Sequence, residues 1–235
     1  MDTAAGDRLT FITAVALHAE IERLVPEFRR RHGIEVDVNY DVNPAVAKRI
    51  LGGEDFDVGL TNPWYVEEMI ATGRVIPDIH IPFGRVPLAI GAAVAAPEEL
   101  AHSQEAVREL LSNAESIAYV ATGTSGRTFL RAIEMMGLQD RIRDRLRPMG
   151  QGEPPAAAAK GEVQYAVVPL SRIIAAPGIE PIATFPPELG LNIDMSMFLH
   201  INTGHRETGA QLIRFLADPG HDDALRASGV YRFKL

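Results

Sequence analysis

Residues 9–64 read LTFITAVALHAEIERLVPEFRRRHGIEVDVNYDVNPAVAKRILGGEDFDVGLTNPW, and their periodicity decides the fold. Leu9-Thr-Phe-Ile-Thr13 is a short β-rich run. Leu17, Ile21, Leu24, Val25 and Phe28 then recur at helical spacing on one face. Arg29, Arg30 and Arg31 suit the negative end of that helix dipole, and Gly33 stops it. Ile34-Glu-Val-Asp-Val-Asn-Tyr40 alternates strictly and predicts a strand. Asn43-Pro44 predicts a second helix start, with Asn as N-cap and Pro at the first helical position. Phe56-Asp-Val-Gly-Leu60 predicts a buried strand, and Asn62-Pro63 repeats the cap signal. The order β-α-β-α-β-α is that of a parallel sheet flanked by helices.

Working outward, the segment around Pro77, Pro82 and Pro87 breaks this rhythm and predicts a crossover. A second α/β unit begins with the strand Ile117-Ala-Tyr-Val120, the turn Thr122-Gly-Thr-Ser-Gly126 and a helix carrying Phe129, Leu130, Ile133 and Met136. Strands follow at 164–168 and 182–185, and a long one at 193–201 returns the chain to the first unit. Leu212, Ile213, Phe215 and Leu216 mark a C-terminal helix. The predicted fold class is two-lobed α/β, each lobe a mainly parallel sheet flanked by helices. Residues 1–83 with 190–235 form lobe 1, and residues 84–189 form lobe 2.

Composition narrows the function classes. The chain has 235 residues, 46% apolar and 23% charged, which is ordinary globular usage. The 23 Lys and Arg against 31 Asp and Glu give a net charge of −8, opposite to the basic footprint of a nucleic-acid binder. The chain has no cysteine, which removes disulfides, thiolate metal sites and Cys nucleophiles. The longest apolar run, Val86 to Ala96, is shorter than the ~20 residues a bilayer requires and is interrupted by Pro87 and Gly91. The opening Met-Asp-Thr-Ala-Ala-Gly-Asp lacks the basic and apolar regions of a leader. Two locations stay open: periplasmic if a leader was removed, cytoplasmic if Met1 is the native start.

Ligands of such folds sit beyond the carboxyl ends of strands, where helix N-termini point. Three starts qualify: Ala14-Val15-Ala16 running into His18, Asn43-Pro44, and Thr124-Ser125-Gly126. In the last, Thr124 and Ser125 offer hydroxyls beside Thr122, and Gly126 permits close backbone approach. Arg127 in the first turn opposes the dipole unless an anion lies between them; the alternative is a capped helix with a solvated Arg. Asn43 offers an amide to a ligand or serves as a plain N-cap. His18 lies in the first turn of the first helix, where the dipole favours neutral imidazole and a base role; the alternative is a surface histidine. Arg85 and Asn62 are further candidates, Arg85 as a carboxylate clamp or a surface crossover residue. Trp64 and Tyr65 either wall the site or pack. The histidine spacing contains no metal-ligand pattern, and neither a nucleophile elbow nor a P-loop is present. No cofactor is expected.

Several stretches carry a family resemblance: Leu9-Thr-Phe-Ile-Thr-Ala-Val-Ala-Leu17, Phe56-Asp-Val-Gly-Leu-Thr-Asn62, Val168 to Ile182 followed by Ala183-Thr-Phe-Pro186, and Ser228-Gly-Val-Tyr-Arg-Phe233. In order and spacing the chain resembles the periplasmic molybdate-binding (ModA-like) proteins, which implies a type II periplasmic-binding-protein fold with a cleft between the lobes and hinge closure over a ligand. The family's oxyanion ligands do not carry over. Ala16 stands where the family has its first ligand Ser, Asp41-Val-Asn-Pro44 replaces its Ser-rich turn, and Pro169 or Leu170 stands near its Tyr. A desolvated dianion needs many convergent donors. The expected ligand is therefore a small organic carboxylate rather than molybdate.

Three functions follow from these readings. The first is a solute-binding protein, with the membrane permease of an ABC transporter as its implied partner and no membrane insertion of its own. The second is an enzyme on the same scaffold, isomerising or dehydrating a small carboxylate by proton transfer. There His18 is the base, Arg127 the anchor and Thr124 and Ser125 the oxyanion donors. The third is a detached ligand-sensor domain.

Overall fold

A computed structural model describes residues 8–235. The reading of the first seven residues as lacking a leader lies outside them. In chain order the elements are β1 (Arg8–Ala14), α1 (His18–His32), β2 (Glu35–Asp41), α2 (Asn43–Leu51), β3 (Val58–Thr61), α3 (Pro63–Ala71) and β4 (Val75–Ala92). Then come α4 (Gln104–Asn113), β5 (Ile117–Val120), α5 (Thr124–Met135), α6 (Gln139–Ile142), β6 (Leu146–Met149), α7 (Glu153–Ala159), β7 (Tyr165–Pro169), α8 (Leu170–Ile174) and β8 (Glu180–Thr184). The chain ends with β9 (Asn192–His200), α9 (Arg206–Leu216) and α10 (Asp222–Ala227).

These elements form two compact units. Unit 1 holds the described residues through Arg85, together with Asp194–Ala227 and Tyr231–Leu235; unit 2 holds Val86–Ile193 and Ser228–Val230. The crossings thus lie at 85/86 and 193/194, and a three-residue excursion near the C-terminus joins unit 2. Packing explains the excursion. Val230 is fully buried, and Gly229, at φ +75°, lies so close to Leu170 that a Cβ would meet its Cγ at 2.7 Å.

In unit 1 the strand order is β2-β1-β3-β9, followed by the first part of β4. β1 pairs in parallel with β2 and β3, and β9 runs antiparallel to β3. Ile12, Val46, Ile50, Phe56, Val66, Met69, Val75 and Phe198 fill the core between sheet and helices. Gly59 pairs with Phe198, whose ring lies 2.2 Å from where a Cβ would stand, so only glycine admits the ring. In unit 2 the second part of β4 pairs antiparallel with β7 and β8, while β5 runs parallel to β7 and to β6. Phe129 lies at the centre of that core, 5.4 Å from Tyr119 and 6.2 Å from Phe185, ring centre to ring centre.

Two local expectations are corrected, and one helix was not foreseen. The predicted crossover at 77–87 does carry the chain from unit 1 to unit 2, but as part of the long strand β4 rather than as a break. Pro77, Pro82 and Pro87 fall outside the stretch Leu88–Ala92 that pairs with β7 and β8, so those two ladders need no N–H from them. Asn43 is the first residue of α2 rather than its cap. Val42 is the N-cap, and the Asp41 carboxylate accepts the Val42 N–H at 2.8 Å. Helix α4 was not anticipated, although Ser103 caps it by accepting the Ala106 N–H at 3.2 Å. The α1 stop at Gly33 stands as read, at φ +69° with its N–H on the Arg29 carbonyl at 2.9 Å.

His200, at the end of β9, supplies a pH test. Its ring is buried beside Phe56, its Nδ1 accepts the Asn202 N–H, and its Nε2 has no hydrogen-bond partner among the described residues. Burial first, and Arg74 second, lower its pKa below 6.5. The unfolded chain therefore binds a proton that the native state refuses, so stability present above the unfolded value is lost as pH falls below about 6.5. His80 shifts in the same direction. Urea unfolding at about pH 7.5 and about pH 5 should show this loss in the wild type and a smaller loss in His200→Gln.

Candidate functional site

In unit 1 the parallel pairing brings three strand ends to one edge of the sheet. Ala14 is level with Asp41, and Thr13 with Leu60. The chain after each strand starts a helical segment there: a 3-10 turn at Val15–Leu17 leading into α1, then α2 and α3. Peptide N–H groups and dipole ends gather at this edge, as anion recognition requires.

Asn43 is buried there. Its Oδ1 accepts the Thr61 hydroxyl at 2.8 Å, which fixes the amide orientation. Its Nδ2 donors have no partner among the described residues. Asn62 caps α3 by position, but its side chain donates to the Asp194 carbonyl at 2.7 Å rather than to the helix. Trp64, in the first turn of α3, is 46% exposed, whereas Tyr65 packs on the core cluster. Of the expected aromatic pair, one packs and one presents its face to solvent.

The first helical N–H groups belong to Val15 and Ala16, because the 3-10 turn precedes α1; His18 sits one turn further on and is exposed. Its ring stacks on Tyr40 at 4.5 Å, and the Tyr40 hydroxyl donates to Glu22 at 2.6 Å. Burial, then Glu22 and Glu20, raise the Tyr40 pKa above the ordinary phenol value, so Tyr40 stays a neutral donor. Thr13, fully buried near the end of β1, has a hydroxyl with no hydrogen-bond partner among the described residues.

Arg85 carries a bidentate ion pair with Asp194, at 2.7 and 2.8 Å. The guanidinium considered as a ligand clamp therefore already holds a carboxylate of the chain itself, and that bond raises its pKa further.

In unit 2, α5 starts at the end of β5 with Gly123 as N-cap. Thr124, Ser125 and Gly126 are buried and Arg127 is exposed. The Ser125 hydroxyl has no hydrogen-bond partner among the described residues. The close approach expected at Gly126 is made by the chain itself: a Cβ would stand 1.9 Å from the Val120 carbonyl oxygen. Pro169 ends β7, buried, and caps the short α8.

Sequence reasoning passed over His80, half-buried on β4, whose Nε2 lies 2.8 Å from Ser196 Oγ. Its only signal was one histidine in a proline-interrupted run. Among the described residues no three His, Asp or Glu side chains form a metal-binding group, and no helix is long and apolar enough to cross a membrane. Cavities of about 410 and 590 Å³ lie elsewhere, one beside Lys160 and Arg172 in unit 2 and one beside α9 in unit 1.

With this geometry in view, the comparisons define the class. The family model of bacterial extracellular solute-binding proteins matches residues 9–231, and the chain belongs to that family. Its fold is the type II periplasmic-binding-protein fold of the ModA-like proteins. The periplasmic molybdate-binding protein of Azotobacter vinelandii superposes with a TM-score of 0.79 at 19% identity, over 96% of this chain and 100% of that one. The sulfate-binding protein SubI of Mycobacterium tuberculosis H37Rv superposes with a TM-score of 0.75 at 13% identity, over 95% and 86%. Among curated proteins, an aconitate isomerase from Pseudomonas sp. is 24% identical over 228 residues, covering 94% of this chain and 87% of the relative.

The Gly126 contact is directly testable. In most exposed helix positions Gly→Ala stabilises by up to about 1 kcal/mol. Here the added methyl meets a backbone oxygen that cannot rotate away, so Gly126→Ala should instead destabilise by about 1–3 kcal/mol, read as a lower urea midpoint.

Proposed function

We propose that this solute-binding protein takes a small polycarboxylate of the aconitate class as its ligand. The observation that carries the reading is the Asn43–Thr61 bond. It commits Asn43 Oδ1 to the protein and leaves the amide N–H donors to a ligand at a sheet edge where helix dipoles favour negative charge. Three further features support it. Ala16, Asn43-Pro44 and Pro169 stand near positions where the resemblance places the hydroxyl ligands of an oxyanion. Ser125 offers an unbonded hydroxyl in the first turn of α5. A relative named for its action on aconitate covers nearly the whole chain. In a transporter, the partner of such a protein is a membrane permease.

A second reading is favoured by the same relative: the chain isomerises its carboxylate. A proton taken from one carbon and returned to another leaves the ligand's composition unchanged and needs no cofactor. His18 is the exposed imidazole nearest the α1 start, with Thr124 and Ser125 as donors and Arg127 as anchor.

Thermal unfolding with molybdate, tungstate, sulfate, phosphate and mono-, di- and tricarboxylates tests the first reading. A ligand at a hundredfold excess over its dissociation constant adds ~2.7 kcal/mol, or roughly 5–10 °C for a chain of this length. The expected shift comes with cis- or trans-aconitate or a near analogue, and a comparable shift with molybdate overturns the reading. Proton NMR of the binding acid, incubated with protein, then separates receptor from isomerase.

A further inference from the structure

His80 on β4 and Ser196 on β9 form a hydrogen-bonded pair, Nε2 to Oγ at 2.8 Å. Ser196 is fully buried on β9 and pairs in register with Thr61, the last residue of β3 and the partner of Asn43. Cross-strand partners in an antiparallel ladder project to the same face. Asn43, Thr61, Ser196 and His80 therefore make a polar row along one edge of the unit 1 sheet. The row reaches from the start of α2 to β4.

Hydrogen-bond bookkeeping fixes the state of the imidazole. The Ser196 hydroxyl carries one proton, and its one side-chain partner among the described residues is His80 Nε2, at 2.8 Å. If Nε2 carried the proton, the buried hydroxyl would donate to nothing, at a cost of about 1–3 kcal/mol. The favoured state has Ser196 O–H donating to a bare Nε2, which puts the ring proton on Nδ1. Nδ1 has no protein partner among the described residues. The ring thus presents an N–H donor on the same edge as the Asn43 amide donors.

We propose that His80, held in the Nδ1–H tautomer by Ser196, is a carboxylate-binding residue of this protein, and that ligand binding is coupled to proton uptake at its ring. The proposal rests on the polycarboxylate reading above. A carboxylate on Nδ1–H stabilises the imidazolium more than the neutral ring, so the bound state holds more proton than the free state. Without ligand, burial keeps the ring on the neutral side of its ordinary range. Of the charged groups on neighbouring elements, Glu67 of α3 acts on the ring and favours the cation. Asp194 on β9 is held by Arg85 of β4.

Two measurements test this. The first needs no ligand: long-range nitrogen–proton NMR of the imidazole rings at about pH 7.5. The expected result is Nδ1–H at His80 in the wild type and reversion to Nε2–H in Ser196→Ala; Nε2–H in the wild type overturns the proposal. The second is calorimetric titration with trans-aconitate in buffers of different ionisation enthalpy. Wild type should take up roughly half a proton near neutral pH and bind about five- to tenfold more weakly at pH ~8 than at pH ~5.5. His80→Gln keeps an N–H donor without a titrating ring. It should lose both the extra uptake and the difference in affinity between the two pH values. Equal uptake in wild type and His80→Gln overturns the coupling while the polycarboxylate reading stands. Failure of every carboxylate to bind the wild type overturns both.

Discussion

The Arg85–Asp194 ion pair is the interaction on which the arrangement of unit 1 depends. The chain leaves that unit after Arg85 and re-enters it at Asp194, and these two residues hold one another through two parallel bonds. Arg85 also bridges Tyr231 through both backbone groups, at 2.6 and 2.9 Å, and its guanidinium lies 5.4 Å from the Phe233 ring. One residue thus gathers the outgoing strand, the returning strand and the C-terminal segment. A single exposed ion pair is worth little, but a bidentate, partly buried pair whose backbones are also fixed has little entropy left to lose. Asp194 is tied a second time, because its carbonyl accepts the Asn62 amide at the head of α3. Two residues further along β9, Ser196 holds His80.

From that anchoring follows the chemistry of the sheet edge. A parallel β-α order puts every helix start at the same end of its strand, so donors accumulate without any side chain contributing charge. This chain fills it with an oriented amide at Asn43, the His80 imidazole held by Ser196, and apolar residues at Ala14, Val15 and Ala16. Planar carboxylates, which accept in-plane bonds from paired N–H donors, suit that set better than tetrahedral dianions.

Much of this architecture was legible in the sequence because its signals are local. The alternation at 34–40, the αL stop at Gly33 and the Asn62-Pro63 start each depend on neighbours within one turn. The crossover around 77–87 was legible as a passage between units but not as a strand: three prolines signal a break, yet they fall outside the Leu88–Ala92 stretch that pairs with β7 and β8. The donor set was partly visible as residue types. Asn43 was singled out, yet its orientation comes from Thr61, 18 residues away. Gly126 was read as room for a ligand, and the room is occupied by the Val120 carbonyl. His80 was invisible because its meaning comes from Ser196, 116 residues later in the chain.

The central claim is that carboxylate recognition belongs to the helix starts at the strand ends. The measurement that tests it most directly is a backbone-amide NMR titration of the protein with trans-aconitate. The account predicts that the largest shifts fall on Ala14–Ala16, Asn43 and Asn62. Shifts confined to the groove beside Lys160 and Arg172, with those amides unmoved, would contradict it.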